Sequence, residues 1–176
     1  MNLQDPELKE NALVEMATLL CVAARTAPKG KGKDLLQTRV VTGQEKRLLA
    51  DQMRIISERD GVAFFARDAG NVDAAQVVVL IASRKEALRI PHCGFCGFSD
   101  CDAMEAAGGT CSFNSCDLGI AVGSAASRAA DLRLDNRIMY SAGKAAIEIE
   151  LFSQDAQIAY AIPLSVSGKS PFFDRG

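Results

Sequence analysis

The sequence predicts a single domain of helices and strands arranged around a cysteine-rich loop. Three observations lead there. Several segments place apolar residues at helical spacing behind helix-start signals. Two short runs, Val77–Ala82 and Ile158–Leu164, are aliphatic and read as strands. Five of the six cysteines fall between Cys93 and Cys116.

Composition narrows the class. At 176 residues one domain is the expectation, with room for a sizeable core. The hydrophobic share of 48% is that of a soluble globular protein. With no tryptophan and 6% aromatics, Ala, Val, Leu and Ile must supply most of the core. A formal net charge of -2 leaves no electrostatic footprint for nucleic acid. The first residues lack the basic segment and apolar run of a secretory signal. The purest apolar stretch, Val77–Ala82, is far too short to span a bilayer. These features lead us to expect a cytoplasmic protein with neither a nucleic-acid nor a membrane partner. In that compartment clustered cysteines serve metal binding or catalysis rather than disulfides. Cys21, alone within an apolar helical pattern, reads as a buried core thiol.

Taken in order, Asp5-Pro6-Glu7 is a helix start, and Leu13, Met16, Ala17, Leu20 and Ala24 continue at helical spacing to about Ala24. Pro28, Gly30 and Gly32 then break the chain. The loop Arg25–Lys33 carries one arginine and three lysines, and Arg25, Lys29 and Lys31 are candidates to bind an anion such as a phosphate. Thr42 and Glu45 form a capping box for a second helix, which should stop near Asp60-Gly61. Residues 62–75 suggest a short helix and a loop around Gly70-Asn71. Val77–Ala82 reads as a strand covered on both faces. A long helix is expected from Asp117, capped by Asn114 or Ser115 and ended by Asp135-Asn136-Arg137. Gly119, Gly123, Ser127 and Ala130 form a small-residue stripe on it. Glycine costs a helix about 1 kcal/mol against alanine, so the stripe suggests close approach of another backbone, in this chain or a second subunit. Ser141–Phe152 reads as a helix, although Ile147, Ile149 and Leu151 alternate and allow a strand. In the last strand, Pro163 calls for an edge or a strand end. Phe172 and Phe173 suggest a tail docked on the surface.

The cysteine spacing is Cys93-x2-Cys96-x4-Cys101-x9-Cys111-x4-Cys116. Gly94 and Gly97 let the backbone turn tightly and present amides to sulfur. Such amides stabilise a reduced iron–sulfur cluster, and Phe95 and Phe98 would shield it. A cluster needs four ligands. Cys93, Cys96 and Cys101 are the first three, and the fourth is Cys111 or Cys116. The rival chemistry is a structural zinc site, which normally shows two short cysteine pairs where this chain has one. His92, the single histidine, reads as solvated, and its being alone argues against Ser-His-Asp hydrolysis. Gly168-Lys169-Ser170 resembles the end of a P-loop, but Pro163 stands where that motif needs glycine, which excludes nucleotide hydrolysis.

The stretches Cys93-Gly-Phe-Cys96-Gly-Phe-Ser-Asp-Cys101, Asp117-Leu-Gly-Ile-Ala-Val-Gly-Ser-Ala, Asp135-Asn-Arg-Ile-Met-Tyr and Ser167-Gly-Lys-Ser-Pro-Phe-Phe-Asp-Arg175 together resemble a family of uncharacterised prokaryotic proteins containing a ferredoxin domain. The Cys93–Cys101 portion also resembles the four-cysteine cluster domain of the B subunit of the Rnf electron-transport complex, a resemblance that implies Cys116 as the last ligand. A further similarity is to the nitroreductase fold. Ala23-Ala-Arg-Thr-Ala-Pro28 and the following Lys29–Val41 resemble the helix-to-strand segment that borders the flavin there, and the late strand leading to Pro163 fits as well. That resemblance implies an α+β domain with a mixed sheet flanked by long helices, and a homodimer with FMN between subunits. The chain lacks that family's N-terminal Arg-x-Ser-x-Arg phosphate motif, for which Arg25, Lys29 and Lys31 are the candidate substitute.

The expectation is therefore a single α+β domain over residues 1–176, nitroreductase-like, with a ferredoxin-like cysteine-rich insertion at 91–117. Its function would be redox chemistry or electron transfer through an iron–sulfur cluster, [4Fe–4S] by preference, with an unidentified redox partner. The alternatives are a zinc-stapled binding protein without redox activity and a flavin-dependent, nitroreductase-like oxidoreductase.

Overall fold

A computed structural model describes residues 5–173, with side chains from residue 9 onward. The expected cap at Asp5 and the end of the tail, Asp174-Arg175, lie outside the described side chains. Helix α1 spans Asp5–Thr26, two residues past the expected end. Its stripe of Leu13, Ala17, Leu20 and Ala24 is fully buried. A 3-10 turn at Gly30–Gly32 leads into strand β1, Leu36–Val41.

Helices α2 (Gly43–Asp60) and α3 (Ala63–Ala74) form a hairpin between β1 and β2 (Val77–Arg84). Thr42 is the cap residue of α2, but its side chain makes no cap hydrogen bond, so the expected capping box is incomplete. Gly43, at φ +50°, turns the chain between cap and helix. Gly61 closes α2 in the left-handed conformation, where glycine is favoured. Helix α3 runs unbroken through Gly70-Asn71, where a loop was expected. Phe65, Asp68, Ala69 and Val72 form its buried stripe, and that burial outweighs the local cost of one glycine.

Helix α4 (Cys101–Ala106) is a short addition that composition did not announce. Helix α5, Ser112–Asp131, begins five residues before Asp117, with Cys111 as its cap residue. Asn114 and Asp117 read as local polar signals in the sequence, but both are buried in tertiary contacts. Asn114 accepts the Glu86 N–H and Asp117 accepts the Gly30 N–H. The helix stops at Asp131, and Asp135–Asn136 form strand β3 instead of ending it. Helix α6 is Tyr140–Glu148, which upholds the helical reading but ends it before Phe152. Strand β4 is Ala156–Ser165.

The sheet order is β1-β2-β4-β3, and every pairing among the described strands is antiparallel where a mixed sheet was expected. The reason lies in the connections. Two helices in succession between β1 and β2 return the chain to the end it left, so β2 must run the opposite way. Pro163 is two residues from the end of β4, pairing with Val78. Its missing N–H falls on the β3 side, between the two-residue β3 and the bridge at Met139, where no strand needs it.

Strand β2 is buried on both faces. Val78, Leu80 and Ala82 face α2, α3 and α6, whereas Val77, Val79 and Ile81 face α1 and α5. The result is helix, sheet and helix in three layers, with two apolar cores. Phe172 from the tail is buried in the first core. Arg137 fastens the tail, donating to the Phe172 carbonyl and lying over the Phe173 ring. A third, smaller apolar cluster sits under the cysteine segment.

Candidate metal centre

The segment from Lys85 to Asp100 has no helix or strand and lies between β2 and α4. Four left-handed residues shape it: Arg89, His92, Gly94 and Gly97. Gly97 donates to the Gly94 carbonyl at 3.0 Å, closing the turn around Cys96. Arg89 bridges forward to Asp102 at 2.6 Å and Glu105 at 2.5 Å, fastening the loop to α4. Asp100 caps α4 by accepting the Ala103 N–H at 2.8 Å, which sets Cys101 in the first turn. That bond, with one from Ser99, holds the Asp100 carboxyl below its ordinary value.

These devices set four cysteines along one cavity. Cys93, Cys96, Cys101 and Cys111 line a cavity of about 520 Å³, with Phe98, Met104 and Phe113 among its apolar walls. Cys111 is buried, and the other three are half-buried. Cys116 is exposed on the outer side of α5 and does not line the cavity. His92 is at the mouth, exposed. Among the described residues no three His, Cys, Asp or Glu side chains gather tightly enough to hold a single metal ion. Four cysteines along one cavity are the donor type that iron–sulfur clusters use, since soft sulfur ligands favour such centres.

The aromatic shield differs from expectation. Phe98 lines the cavity, but Phe95 is 75% exposed and outside it. Phe113 takes the second place, with Phe95 stacked on it at 5.8 Å between ring centres. Phe113 precedes the position where the sequence suggested α5 begins, so no local pattern drew attention to it.

The basic candidates are separated and engaged. Arg25 donates to Asp34 at 2.8 Å and to the Leu36 carbonyl at 2.9 Å. Lys29 Nζ donates to the carbonyls of Arg25 and Ala27 at 2.6 and 2.7 Å, capping the C-terminus of α1. Lys31 reaches the Leu88 carbonyl at 3.1 Å, beside the cysteine cavity. Gly30 has no room for a side chain, since a Cβ there would meet Leu88 and Phe113, both cavity walls. Cys21 is half-buried, and burial pushes its thiol up against the lowering effects of Thr38 and Arg25.

Residues 107–175 match the family described as "Uncharacterized protein containing a ferredoxin domain". Nearly the whole chain also aligns with an uncharacterized protein of Archaeoglobus fulgidus, 37% identical over 183 residues, 99% of this chain and 98% of that one. The chain belongs to this ferredoxin-domain family. The match to the family covers Cys111 and Cys116, while the full-length relative spans the whole cysteine segment.

Solved structures similar to this ferredoxin-domain protein include nitroreductases. An FMN-dependent nitroreductase of Clostridium difficile superposes with a TM-score of 0.56 at 19% identity, over 88% of this chain and 76% of that one. A nitroreductase with bound FMN from Bacteroides fragilis gives 0.59 at 10% identity, over 88% and 77%. A third with bound FMN, from Desulfitobacterium hafniense, gives 0.54 at 16% identity, over 88% and 78%. The ferredoxin-domain chain has the nitroreductase fold. Among its described residues no helix is long and apolar enough to cross a membrane.

Proposed function

We propose that this protein carries an iron–sulfur cluster, [4Fe–4S] by preference, on Cys93, Cys96, Cys101 and Cys111, and passes electrons to an unidentified redox partner. The observation that carries this reading is the cavity of about 520 Å³ that the four cysteines share, within a family named for a ferredoxin domain. Cys111 is favoured over Cys116 because it faces that cavity from the head of α5. The cluster would supply one-electron storage. The chain's part is to present the thiolates, to exclude water with Phe98, Met104 and Phe113, and to keep the loop folded through Arg89 and Asp100. Residues 91–117 act in this reading as a ferredoxin-like insertion in one α+β domain.

The test is anaerobic purification followed by iron and acid-labile sulfide analysis. Iron and sulfide in cluster proportion are expected, with loss in Cys111→Ser and retention in Cys116→Ser. Colourless protein with one tightly bound zinc would overturn the reading.

Two further parts of the reading have narrower support. The similar solved nitroreductases with bound FMN support FMN here, with Arg25, Lys29 and Lys31 as the candidate phosphate contacts. Titration of the purified protein with FMN tests it. A homodimer is supported by the outer face of α5, where Gly119 and Gly123 have no neighbouring atoms within 4 Å of a would-be side chain and Ile120 is exposed. Bare glycines on an apolar helix face allow a second helix to approach closely.

A further inference from the structure

One buried group near the cysteine cavity lacks a partner, and its meaning rests on the iron–sulfur reading above. Asn114 is 2% exposed. Its Nδ2 is the single buried side-chain nitrogen or oxygen among the described residues with no hydrogen-bond partner. Buried donors are normally satisfied, so such a group calls for an explanation. Rotating the amide does not supply one. Oδ1 accepts the Glu86 N–H at 3.2 Å, and a flipped amide would set donor against donor.

Asn114 does not itself line the cavity, but it stands one helical turn from Cys111, which does. Cys111 is the cap residue and Asn114 the third helical residue after it. At this spacing a side chain reaches back to its cap residue. The Asn114 N–H already donates to the Cys111 carbonyl at 2.9 Å. Cys111 makes no cap hydrogen bond through its side chain, so the positive end of a 20-residue helix meets this cysteine without a side-chain acceptor. Asn114 is held between the segment after β2 and the first turn of α5. Those stretches contribute Leu88, Cys111 and Phe113 to the cavity wall.

We propose that Asn114 is a positioning residue for the cluster, with Nδ2 donating a hydrogen bond to sulfur on its Cys111 side. Hydrogen bonds to cluster sulfur favour the more negative, reduced state and raise the potential. The same bond ties the fourth ligand to the head of α5 and gives the orphaned donor its acceptor. The competing occupant is a buried water, which would satisfy the amide and leave sulfur untouched.

The experiment uses the full chain, labelled with asparagine carrying 15N at Nδ2 only, purified anaerobically and reduced. Pulsed EPR of the wild-type cluster is expected to show a weakly coupled 15N that disappears in Asn114→Leu. In that variant the reduction equilibrium should fall about tenfold, about 59 mV lower for a one-electron couple, at unchanged iron and sulfide content. Asn114→Ala, which removes the donor without adding a charge, serves if the leucine variant does not fold. A cluster without 15N coupling in wild-type protein overturns the proposal in favour of water. An unshifted potential in both variants overturns it too. Absence of iron and sulfide would instead remove the parent reading, and this one with it.

Discussion

Two glycines that look alike in the sequence have opposite tasks in the fold. At Gly143, on α6, an added Cβ would lie 2.0 Å from the Ala159 carbonyl oxygen and 2.4 Å from its carbon. Both are backbone atoms of β4 and cannot yield without separating helix from sheet. Gly143→Ala should therefore cost about 3 kcal/mol or more, seen as a large fall in the thermal midpoint. Gly70, on α3, has nothing within 4 Å of a would-be Cβ. Gly70→Ala should stabilise by up to about 1 kcal/mol through helix propensity alone. The lysines divide in the same way. Lys29 holds the carbonyls at the end of α1, so Lys29→Ala should cost about 1 kcal/mol of stability. A lysine serving only as a solvated anion contact would cost nothing, and chemical denaturation distinguishes the two.

At the scale of elements, α4 is the piece most open to its surroundings. Six residues cannot hold a helix by themselves, and its cap is a single exposed carboxylate, Asp100. The hydrogen bond from Ala103 holds that carboxyl below its ordinary value of 3.8. A depressed carboxylate stabilises the folded form fully above the ordinary value, and the contribution disappears as pH falls below it. Amide exchange at Ala103 should thus accelerate relative to the rest of the chain on acidification below about pH 4. Asp100→Asn should keep the cap and abolish this pH dependence, since Asn caps as well as Asp. A cysteine at the first position of α4 makes the cap part of the support of the proposed cluster site. Helix α5 shows the complementary case, with its N-terminus set by tertiary contacts. Asn114 and Asp117 are spent on distant backbone amides, and the helix starts where those contacts allow.

For the whole molecule, three apolar clusters imply unequal coupling. The cysteine cavity rests on the small third cluster, while the sheet separates two large ones. If the proposed cluster is bound, stripping its iron with a chelator should raise hydrogen exchange across residues 91–111 and leave β2 and α6 protected. Exchange spreading into β2 would show that the site and the main cores unfold together. Assembly belongs to this scale too. If α5 pairs with its copy, Gly123→Leu should convert dimer to monomer in sedimentation without unfolding the chain, because that face has open space within the protomer. A monomeric wild-type protein would remove the basis of the homodimer.

The sequence by itself determined what depends on neighbours along the chain. The helical stripes of α1 and α2, the doubly buried run of β2, the stop at Gly61 and the left-handed turns at Gly94 and Gly97 are all local consequences of residue type. So was the family: its motifs are contiguous in this chain, and a relative 37% identical covers 99% of it. The tertiary structure alone decided what depends on residues far apart in sequence. It turned Asn114, a candidate cap, and Asp117, the expected first helical residue, into buried acceptors for Glu86 and Gly30. It kept α3 continuous, made the described sheet antiparallel and exchanged Phe95 for Phe113 at the cavity wall. It directed Cys111 inward and Cys116 outward, where the sequence had kept both as candidates for the fourth ligand. Periodicity and turn chemistry are encoded locally. Which face of an element becomes an interior is set by the surface that packs against it, and that surface is assembled only when the chain folds.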